Sequence, residues 1–281
     1  MEPEQEVIEL PERQFMMELC YDGSRYSGWQ GQPEQREVRT IQGELERAIR
    51  EVTGEQVTVV ASGRTDAGVH ALYQVASFYV VTRLSAEILR RAVNASLPHA
   101  IQIYRMREVW PGFHPIRDVV RKRYRYLLSD TKPFVPFWSN YVWQVLKPVD
   151  VGRMAEAGAY LLGRHDFAAF QTVGSPRKTT VRTVFDLAVR IEDCPFPGPL
   201  PAGLPRPRLI SVEVEADGFL YNMVRAIAGT LVAIGQSRKG FESAERMKAI
   251  LESGDRSQAG PTAPAHGLFM VKVEYDTARF M

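Results

Sequence analysis

The chain has 281 residues, of which 45% are hydrophobic and 24% are charged. These values are ordinary for folded globular domains, so they exclude a fibrous repeat and a wholly disordered chain. Its two cysteines are too few for a disulfide framework or a cysteine-rich zinc site. The formal charge of +2 does not by itself indicate a class of partner.

The charge is unevenly distributed along the chain. Residues 1–12 hold five glutamates and no basic residue, so residues 13–281 carry 35 basic against 28 acidic side chains, a formal charge of +7. The acidic start predicts a disordered tail, and it lacks the basic and apolar regions of a signal peptide. The longest apolar run, residues 226–235, is half the roughly 20 residues that cross a bilayer. We therefore expect a cytoplasmic protein with no membrane partner.

Hydrophobic periodicity over residues 13–115 predicts the element order β-α-β-β-α-β. One helix is predicted to begin after Thr40 and to end before Gly54, and a second is predicted to be capped by Ser85. The strands of this N-terminal half are predicted at residues 15–21, 57–61, 74–81 and 101–109. This is the element order of a ferredoxin-like fold.

A C-terminal half, residues 116–281, is predicted to repeat that order. Its strands are predicted at residues 123–128, 181–191, 209–215 and 268–275, and its helices at residues 151–162, 219–234 and 244–251. The fold class is therefore predicted as α+β, with two ferredoxin-like halves, largely antiparallel sheets side by side, helices on one face and an active-site cleft between the halves. Six prolines within residues 195–207 predict a stiff surface insertion.

The most unusual string of the chain is SGRTDAGVH, residues 62–70, between two predicted strands. One interpretation is a plain connection in which Asp66 and the glycines serve a turn. The other is a carboxylate presented on a tight loop at the edge of a sheet, with Arg64 two residues away. Loops held by strands on both sides are where catalytic groups tend to lie.

Residues 62–71 resemble the signature of the tRNA pseudouridine synthase A family. The resemblance extends over residues 14–276, because further motifs of that family occur in its order. These are YDGS at 21–24, TIQ at 40–42, FH at 113–114, KRYRY at 122–126, GRHDF at 163–167, MVR at 223–225 and GL at 267–268. The chain departs from the family after His114, where Pro115-Ile116-Arg117 displaces the usual basic residue by one position.

The resemblance implies isomerisation of uridine to pseudouridine in the anticodon stem-loop of tRNA, at the positions conventionally numbered 38 to 40. It implies no cofactor, and a homodimer in which one tRNA contacts both subunits. Carried over by motif, Asp66 is the catalytic nucleophile, Arg225 pairs with it, and Arg64 helps to displace the target nucleotide. Tyr124 packs against the target base.

The chemistry of these residue types agrees with that assignment. Cleavage of a glycosidic bond builds positive charge on the sugar carbon, which a carboxylate can stabilise or trap as an ester. A guanidinium beside the carboxylate favours its ionised form. A hydrolase would need a second carboxylate to activate water, and the motifs supply none. Three routes remain open for Asp66: attack on C1′ of the sugar, attack on C6 of the base, and removal of the C2′ proton to give a glycal.

A basic strand surrounds Tyr124. Strand alternation places Lys122 and Tyr124 on one face and Arg123 and Arg125 on the other. The strand can be an ordinary solvated one, but the family resemblance favours phosphate contacts for the basic side chains and base stacking for the tyrosine. We therefore predict Lys122, Arg123, Tyr124 and Arg125 as substrate-binding residues.

Neither a metal nor a nucleotide cofactor is predicted. The five histidines lack the spacing of a metal site, and no glycine-rich phosphate-binding motif occurs. Two rival functions remain. A protein of two RNA-recognition domains would bind RNA without chemistry, although the aromatic motif of such domains is absent. An RNA N-glycosidase would release free uracil.

Overall fold

The computed structural model describes residues 11–30, 38–132, 134–172, 179–193 and 207–276. Residues 1–10 of the predicted tail and residues 195–206 of the predicted insertion lie outside the described residues. Glu12, which the sequence assigns to the tail, is the first residue of a strand.

The described residues form an α+β fold with ten strands and five helices, so the predicted fold class is confirmed at this level. The strands are β1 (Glu12–Tyr21), β2 (Val60–Ala61), β3 (His70–Val81), β4 (Ile101–Val109), β5 (Val119–Ser129), β6 (Trp143–Gln144), β7 (Gly163–Asp166), β8 (Val181–Glu192), β9 (Leu209–Ala216) and β10 (Leu268–Tyr275). The helices are α1 (Ile41–Thr53), α2 (Ala86–Ser96), α3 (Val151–Ala159), α4 (Met223–Gly235) and α5 (Arg246–Ser253).

All ten strands belong to one sheet, whose main path runs β4-β1-β3-β10-β5-β9-β8-β7. Neighbours on this path are antiparallel, except that β10 runs parallel to β3. The β3–β10 contact pairs Phe269 with His70 and Met270 with Ala71. The sheets that were predicted side by side are therefore joined into one.

Local sequence explains where most of the helices begin and end. The Thr40 side chain accepts a hydrogen bond from the Gly43 amide (3.1 Å) at the start of α1, and Gly54 ends it in the left-handed conformation (φ 78°). Ser85 caps α2 in the same way as Thr40 caps α1. Helix α4 begins at Met223, four residues later than predicted, because the residue before it leaves the helical conformation.

Strand β2 is shorter than predicted. The Val59 amide donates to the Glu46 carboxylate of α1 (2.9 Å), so this residue turns to the helix and pairing with β3 starts only at Val60. Strand β3 in contrast starts at His70, four residues earlier than predicted, because His70 and Ala71 pair with β10.

One hydrophobic cluster runs from β1 to β10 and includes α4, of which every residue except Arg225 is buried. Because burial of apolar area stabilises the folded state by roughly 25 cal/mol per Å², the packing of this helix against the sheet contributes to the stability of the fold. Arg225 is therefore the one charged group that this buried helix carries, and its position is set by the packing of the helix.

Candidate active site

Asp66 lies on the connection between β2 and β3, and the residues beside it are anchored to the core. The Trp29 amide donates to the Thr65 carbonyl (3.0 Å), and the Thr65 hydroxyl shares a hydrogen bond with the hydroxyl of buried Tyr21 (2.8 Å). The Val69 amide donates to the Asp66 carbonyl (3.1 Å), which closes a turn around the carboxylate. The side chain of Asp66 keeps 26% of its surface exposed, so it is held in place and still accessible.

Two glycines allow the segment that follows β1 to pack directly under this turn. A Cβ atom on Gly28 (φ 93°) would lie 2.6 Å from the Thr65 carbonyl oxygen, and one on Gly23 would lie 2.0 Å from the Val69 carbonyl oxygen. Both distances are too short for any side chain. The YDGS motif is thus explained by close backbone approach to the Asp66 loop.

Arg225, in the first turn of α4, reaches Asp66 from the other half of the chain. Its Nη1 group donates to Asp66 Oδ2 (3.0 Å), and its Nε group donates to the Ala263 carbonyl (2.8 Å). The Arg225 side chain is 18% exposed. The structure therefore brings together the two residues that the sequence predicted as a pair.

Asn222 is a member of this site that the sequence analysis missed. Its Oδ1 atom accepts a second hydrogen bond from Arg225 Nη1 (2.7 Å). The signal that was available is the spacing of three residues between Asn222 and Arg225, which places them one turn apart at the start of an apolar helix.

Tyr124, on β5, is 8% exposed and packs edge to face against Phe219, with ring centroids 4.9 Å apart. Its hydroxyl lies 3.9 Å from where a Cβ atom on Gly63 would be. The tyrosine thus faces the start of the loop that carries Asp66. Phe219 was predicted within a helix, but it precedes α4 and supports the tyrosine ring.

Lys122 lies beneath the same loop. Its ammonium group donates to the Ser62 carbonyl, and the Lys122 side chain is buried. The Gln74 side chain donates to the Gly63 carbonyl (2.9 Å) and accepts from the Ser62 hydroxyl (2.5 Å). Lys122 and Gln74 therefore hold the start of the loop from two different strands.

Arg123 and Arg125 point to the opposite face of β5. Arg123 pairs with Glu213 (3.0 Å) and Glu215 (3.1 Å) of β9 and with Asp186 (2.9 Å) of β8, while Arg125 Nε donates to Glu213 (2.6 Å). Burial opposes ionisation of Glu213, but the hydrogen bonds from both arginines outweigh it and lower the pKa of this carboxyl. The structure does not bring Arg123 and Arg125 to the Asp66 loop.

Arg64 is exposed, on the loop two residues before Asp66. His70, at the end of the loop, is buried: its Nδ1 atom accepts from the Gly23 amide (3.1 Å) and its Nε2 atom lies 2.9 Å from the Asn140 carbonyl. Because a carbonyl only accepts, the proton of the neutral ring is on Nε2. His70 thereby links the loop to the C-terminal half.

No group of three His, Cys, Asp or Glu side chains that could hold a metal ion occurs among the described residues. Within the same ranges of the chain, no helix is long and apolar enough to cross a membrane.

Comparison with known proteins shows which family this chain resembles. A family model described as tRNA pseudouridine synthase matches residues 19–114 and 157–276, which include Asp66 and Arg225. The tRNA pseudouridine synthase A of Thermoanaerobacter sp. (strain X514) is 41% identical over 264 residues, 94% of this chain and 100% of that protein. The protein of the same name from Moorella thermoacetica is 44% identical over 257 residues, 92% of this chain and 97% of that one.

Among solved structures, a chain from the crystal structure of a Cbf5–Nop10–Gar1 complex covers 88% of this chain and 69% of its own length at 13% identity. Its TM-score of 0.28 is too low to bear on the fold. The family match and the relatives, in contrast, cover most of the chain. The chain belongs to the tRNA pseudouridine synthase A family, whose name denotes isomerases that convert uridine in tRNA to pseudouridine.

Proposed function

We propose that this protein isomerises uridine to pseudouridine in the anticodon stem-loop of tRNA, at positions 38 to 40, with Asp66 as the nucleophile. In this reaction the bond between N1 and C1′ breaks, the uracil rotates, and a bond between C5 and C1′ forms. The C5 proton is lost and N1 gains one, so the product is an isomer of the substrate. The observation that carries the proposal is the Asp66–Arg225 pair at 3.0 Å on an anchored, accessible loop.

The arrangement of charge supports this role for Asp66. Cleavage of the glycosidic bond builds positive charge at C1′, next to which an ionised carboxylate is favourable. Arg225 is the counter-ion of that carboxylate before substrate binds. We propose further that Tyr124 packs against the target base and that exposed Arg64 helps to displace it from the stack.

The other three residues predicted to bind substrate, Lys122, Arg123 and Arg125, lie in two different places. Lys122 is proposed to act on the substrate only indirectly, since its ammonium group is occupied by the Ser62 carbonyl beneath the loop. Arg123 and Arg125 are engaged by the carboxylates of β8 and β9. We therefore assign the direct contacts to Tyr124 and Arg64.

We also propose that the fold consists of two ferredoxin-like halves with the active-site cleft between them and helices on one face. Strand pairing supports this: the first half contains the order β4-β1-β3-β2 and the second the order β10-β5-β9-β8. When the four strands of each set are counted in chain order, the fourth strand lies beside the first in both sets, and the second lies beside the third. Asp66 comes from the first half, and Arg225 and Tyr124 come from the second.

The family supports three further expectations: a homodimer, a cytoplasmic location, and a reaction without cofactor or metal. Mass measurement in solution tests the first. Activity that survives dialysis against EDTA tests the last, and its loss on chelation with recovery on adding a divalent cation would contradict it.

The function is tested with unmodified tRNA that carries tritium at C5 of uridine. We expect tritium release without free uracil. Only the isomerase replaces the tritium at C5 with a bond to C1′ and leaves the base in the tRNA. An N-glycosidase would release uracil, and an RNA-binding protein would release neither. Asp66→Asn, matched in size but unable to act as a carboxylate, is expected to bind tRNA within a few-fold of the wild type and to release no tritium.

The glycal route is separated from the two routes of direct attack by a second substrate. Deuterium at C2′ slows the reaction if Asp66 removes the C2′ proton to form a glycal. It has almost no effect if Asp66 attacks C1′ or C6, since the bond to that deuterium then stays intact. Activity of Asp66→Asn close to that of the wild type would exclude all three.

A further inference from the structure

Asn222 stands before helix α4 in a conformation that most residues avoid. Its backbone is left-handed, with φ 62° and ψ 8°, and its side chain makes no capping hydrogen bond to the helix. Asparagine before a helix usually adopts an extended backbone and caps the first turn. Unusual backbone geometry of this kind is concentrated at functional sites, where the surrounding structure holds it.

The Asn222 side chain is instead placed between two polar groups. Its Nδ2 group donates to the Thr172 hydroxyl (3.0 Å), and its Oδ1 atom accepts from Arg225 Nη1 (2.7 Å). A guanidinium only donates, so the atom that faces Arg225 must be the oxygen, which leaves the amide nitrogen for Thr172. The two hydrogen bonds therefore determine one orientation of the amide.

This orientation determines where Arg225 points. The Nη1 group has two hydrogens, and it donates to both Asn222 Oδ1 and Asp66 Oδ2, while Nε donates to the Ala263 carbonyl. Asn222 and Ala263 thus fix the guanidinium from two sides, and the direction left to Nη1 is that of the carboxylate.

Thr172 fixes Asn222 in turn. Its amide donates to the Tyr221 carbonyl (3.2 Å), so both its backbone and its hydroxyl hold the turn that precedes α4. We propose that Asn222 is a positioning residue that acts through Arg225 to orient the Asp66 carboxylate for catalysis, with Thr172 holding Asn222 in place. This proposal rests on the proposed function of Asp66.

The first test is Asn222→Gly, which removes the side chain and keeps the left-handed backbone accessible. We expect kcat to fall about ten- to hundredfold, because a small misplacement of catalytic groups lowers the rate by this much. KM and tRNA affinity should be unchanged. The melting temperature should fall by only a few degrees, because two part-buried hydrogen bonds are lost but the side chain does not cap the helix. Asn222→Asp tolerates the same backbone and keeps an oxygen facing Arg225, so it should recover most of kcat.

The second test is the matched pair Thr172→Val and Thr172→Ser. Valine has the shape of threonine without the hydroxyl, and it should lower kcat in the same direction as Asn222→Gly. Serine keeps the hydroxyl and should stay close to the wild type. An unchanged kcat in Asn222→Gly, or equal kcat in the valine and serine variants, would overturn the proposal. So would a loss of kcat that is accounted for by partial unfolding of the variant at the assay temperature.

A structural measurement separates this inference from the proposed function. Crystal structures of the wild type and of Asn222→Gly should show the guanidinium of Arg225 turned away from Asp66 in the variant only. If Arg225 still contacts Asp66 at about the wild-type distance, the positioning role is wrong whatever the activity. If the wild type forms no pseudouridine, the proposed function fails, and the positioning of Arg225 by Asn222 is still decided by this comparison.

Discussion

Lys122 donates a hydrogen bond from its ammonium group to the carbonyl oxygen of Ser62, so a side chain of β5 holds the start of the loop that carries Asp66. The lysine is buried, and the loop belongs to the first half of the chain. Lys122, two residues before Tyr124, therefore contributes to the shape of the site through the backbone of the Asp66 loop.

Lys122→Met keeps the aliphatic stem and removes this donor. We expect a loss of about 1–3 kcal/mol in the free energy of unfolding, since a buried carbonyl then loses its partner, and a lower kcat with an unchanged salt dependence of tRNA binding. Chemical denaturation and binding at several salt concentrations measure both. A phosphate contact would instead reduce the salt slope by about one unit, and that result would contradict the inward role of Lys122.

Tyr124 is expected to act mainly through its ring. Tyr124→Phe keeps the edge-to-face contact with Phe219 and should retain kcat to within about tenfold, whereas Tyr124→Ala should lose more, because base stacking on an aromatic is worth about 1–3 kcal/mol. Single-turnover assays measure both rates. Tyr124→Leu fills the space without a flat ring and controls for lost packing; if leucine matches phenylalanine, stacking is not the role of this residue.

Arg123 is expected to serve stability and not catalysis. Arg123→Gln leaves the buried carboxylates Glu213 and Glu215 short of a partner, and we expect a loss of about 1–2 kcal/mol, less than for a fully buried pair because the arginine is partly exposed. Thermal unfolding and the tritium assay measure the two effects. Arg105→Gln, at an arginine whose side chain is 68% exposed, is the control and should change neither. A loss of tRNA affinity in Arg123→Gln alone would show that this face binds RNA.

The stability of the protein is expected to depend on pH through His70. Burial lowers the pKa of His70, although the Asp22 carboxylate 3.2 Å from Nδ1 partly opposes the shift. As the pH falls, His70 is therefore protonated in the unfolded chain before it is protonated in the folded one. Its contribution to the free energy of unfolding is full above pH about 6.5 and decreases as the pH drops below that value.

Melting curves between pH 5 and pH 7.5 test this. His70→Gln should lower stability at neutral pH and flatten the dependence on pH, while His99→Gln, at an exposed histidine, should leave the slope unchanged. The same slope in His70→Gln as in the wild type would contradict the assignment. Part of the slope should remain, since burial also lowers the pKa of His266.

Much of the fold follows from local patterns in the sequence. Strand β4 has the predicted bounds, Ile101–Val109, although its buried residues alternate only as far as Ile103. Helix α1 has its predicted bounds because Thr40 caps one end and Gly54 the other. The start of α4 was predicted too early because Asn222 has a left-handed backbone and hydrogen-bonds to Thr172, 50 residues away, and periodicity shows neither feature.

The site residues that belong to sequence motifs could be predicted, whereas contacts made with neighbouring strands of the sheet could not. Asp66 and Arg225 were paired from the sequence, and the structure places them in contact. The surroundings of Arg123 could not be inferred from β5 alone, because the carboxylates that meet it lie on β9, which becomes its neighbour only in the folded sheet.

The parallel pairing of β3 with β10 has a consequence for attempts to divide the protein. It involves His70 and Ala71, which follow the Asp66 loop directly, and it is made with a strand from the far end of the chain. A fragment that ends near residue 115 would carry Asp66 without Arg225, and the complementary fragment would carry Arg225 without Asp66. Under the proposed function, catalysis requires both fragments to reassemble through this short β3–β10 pairing, and recovery of activity on mixing them would report that the sheet has closed.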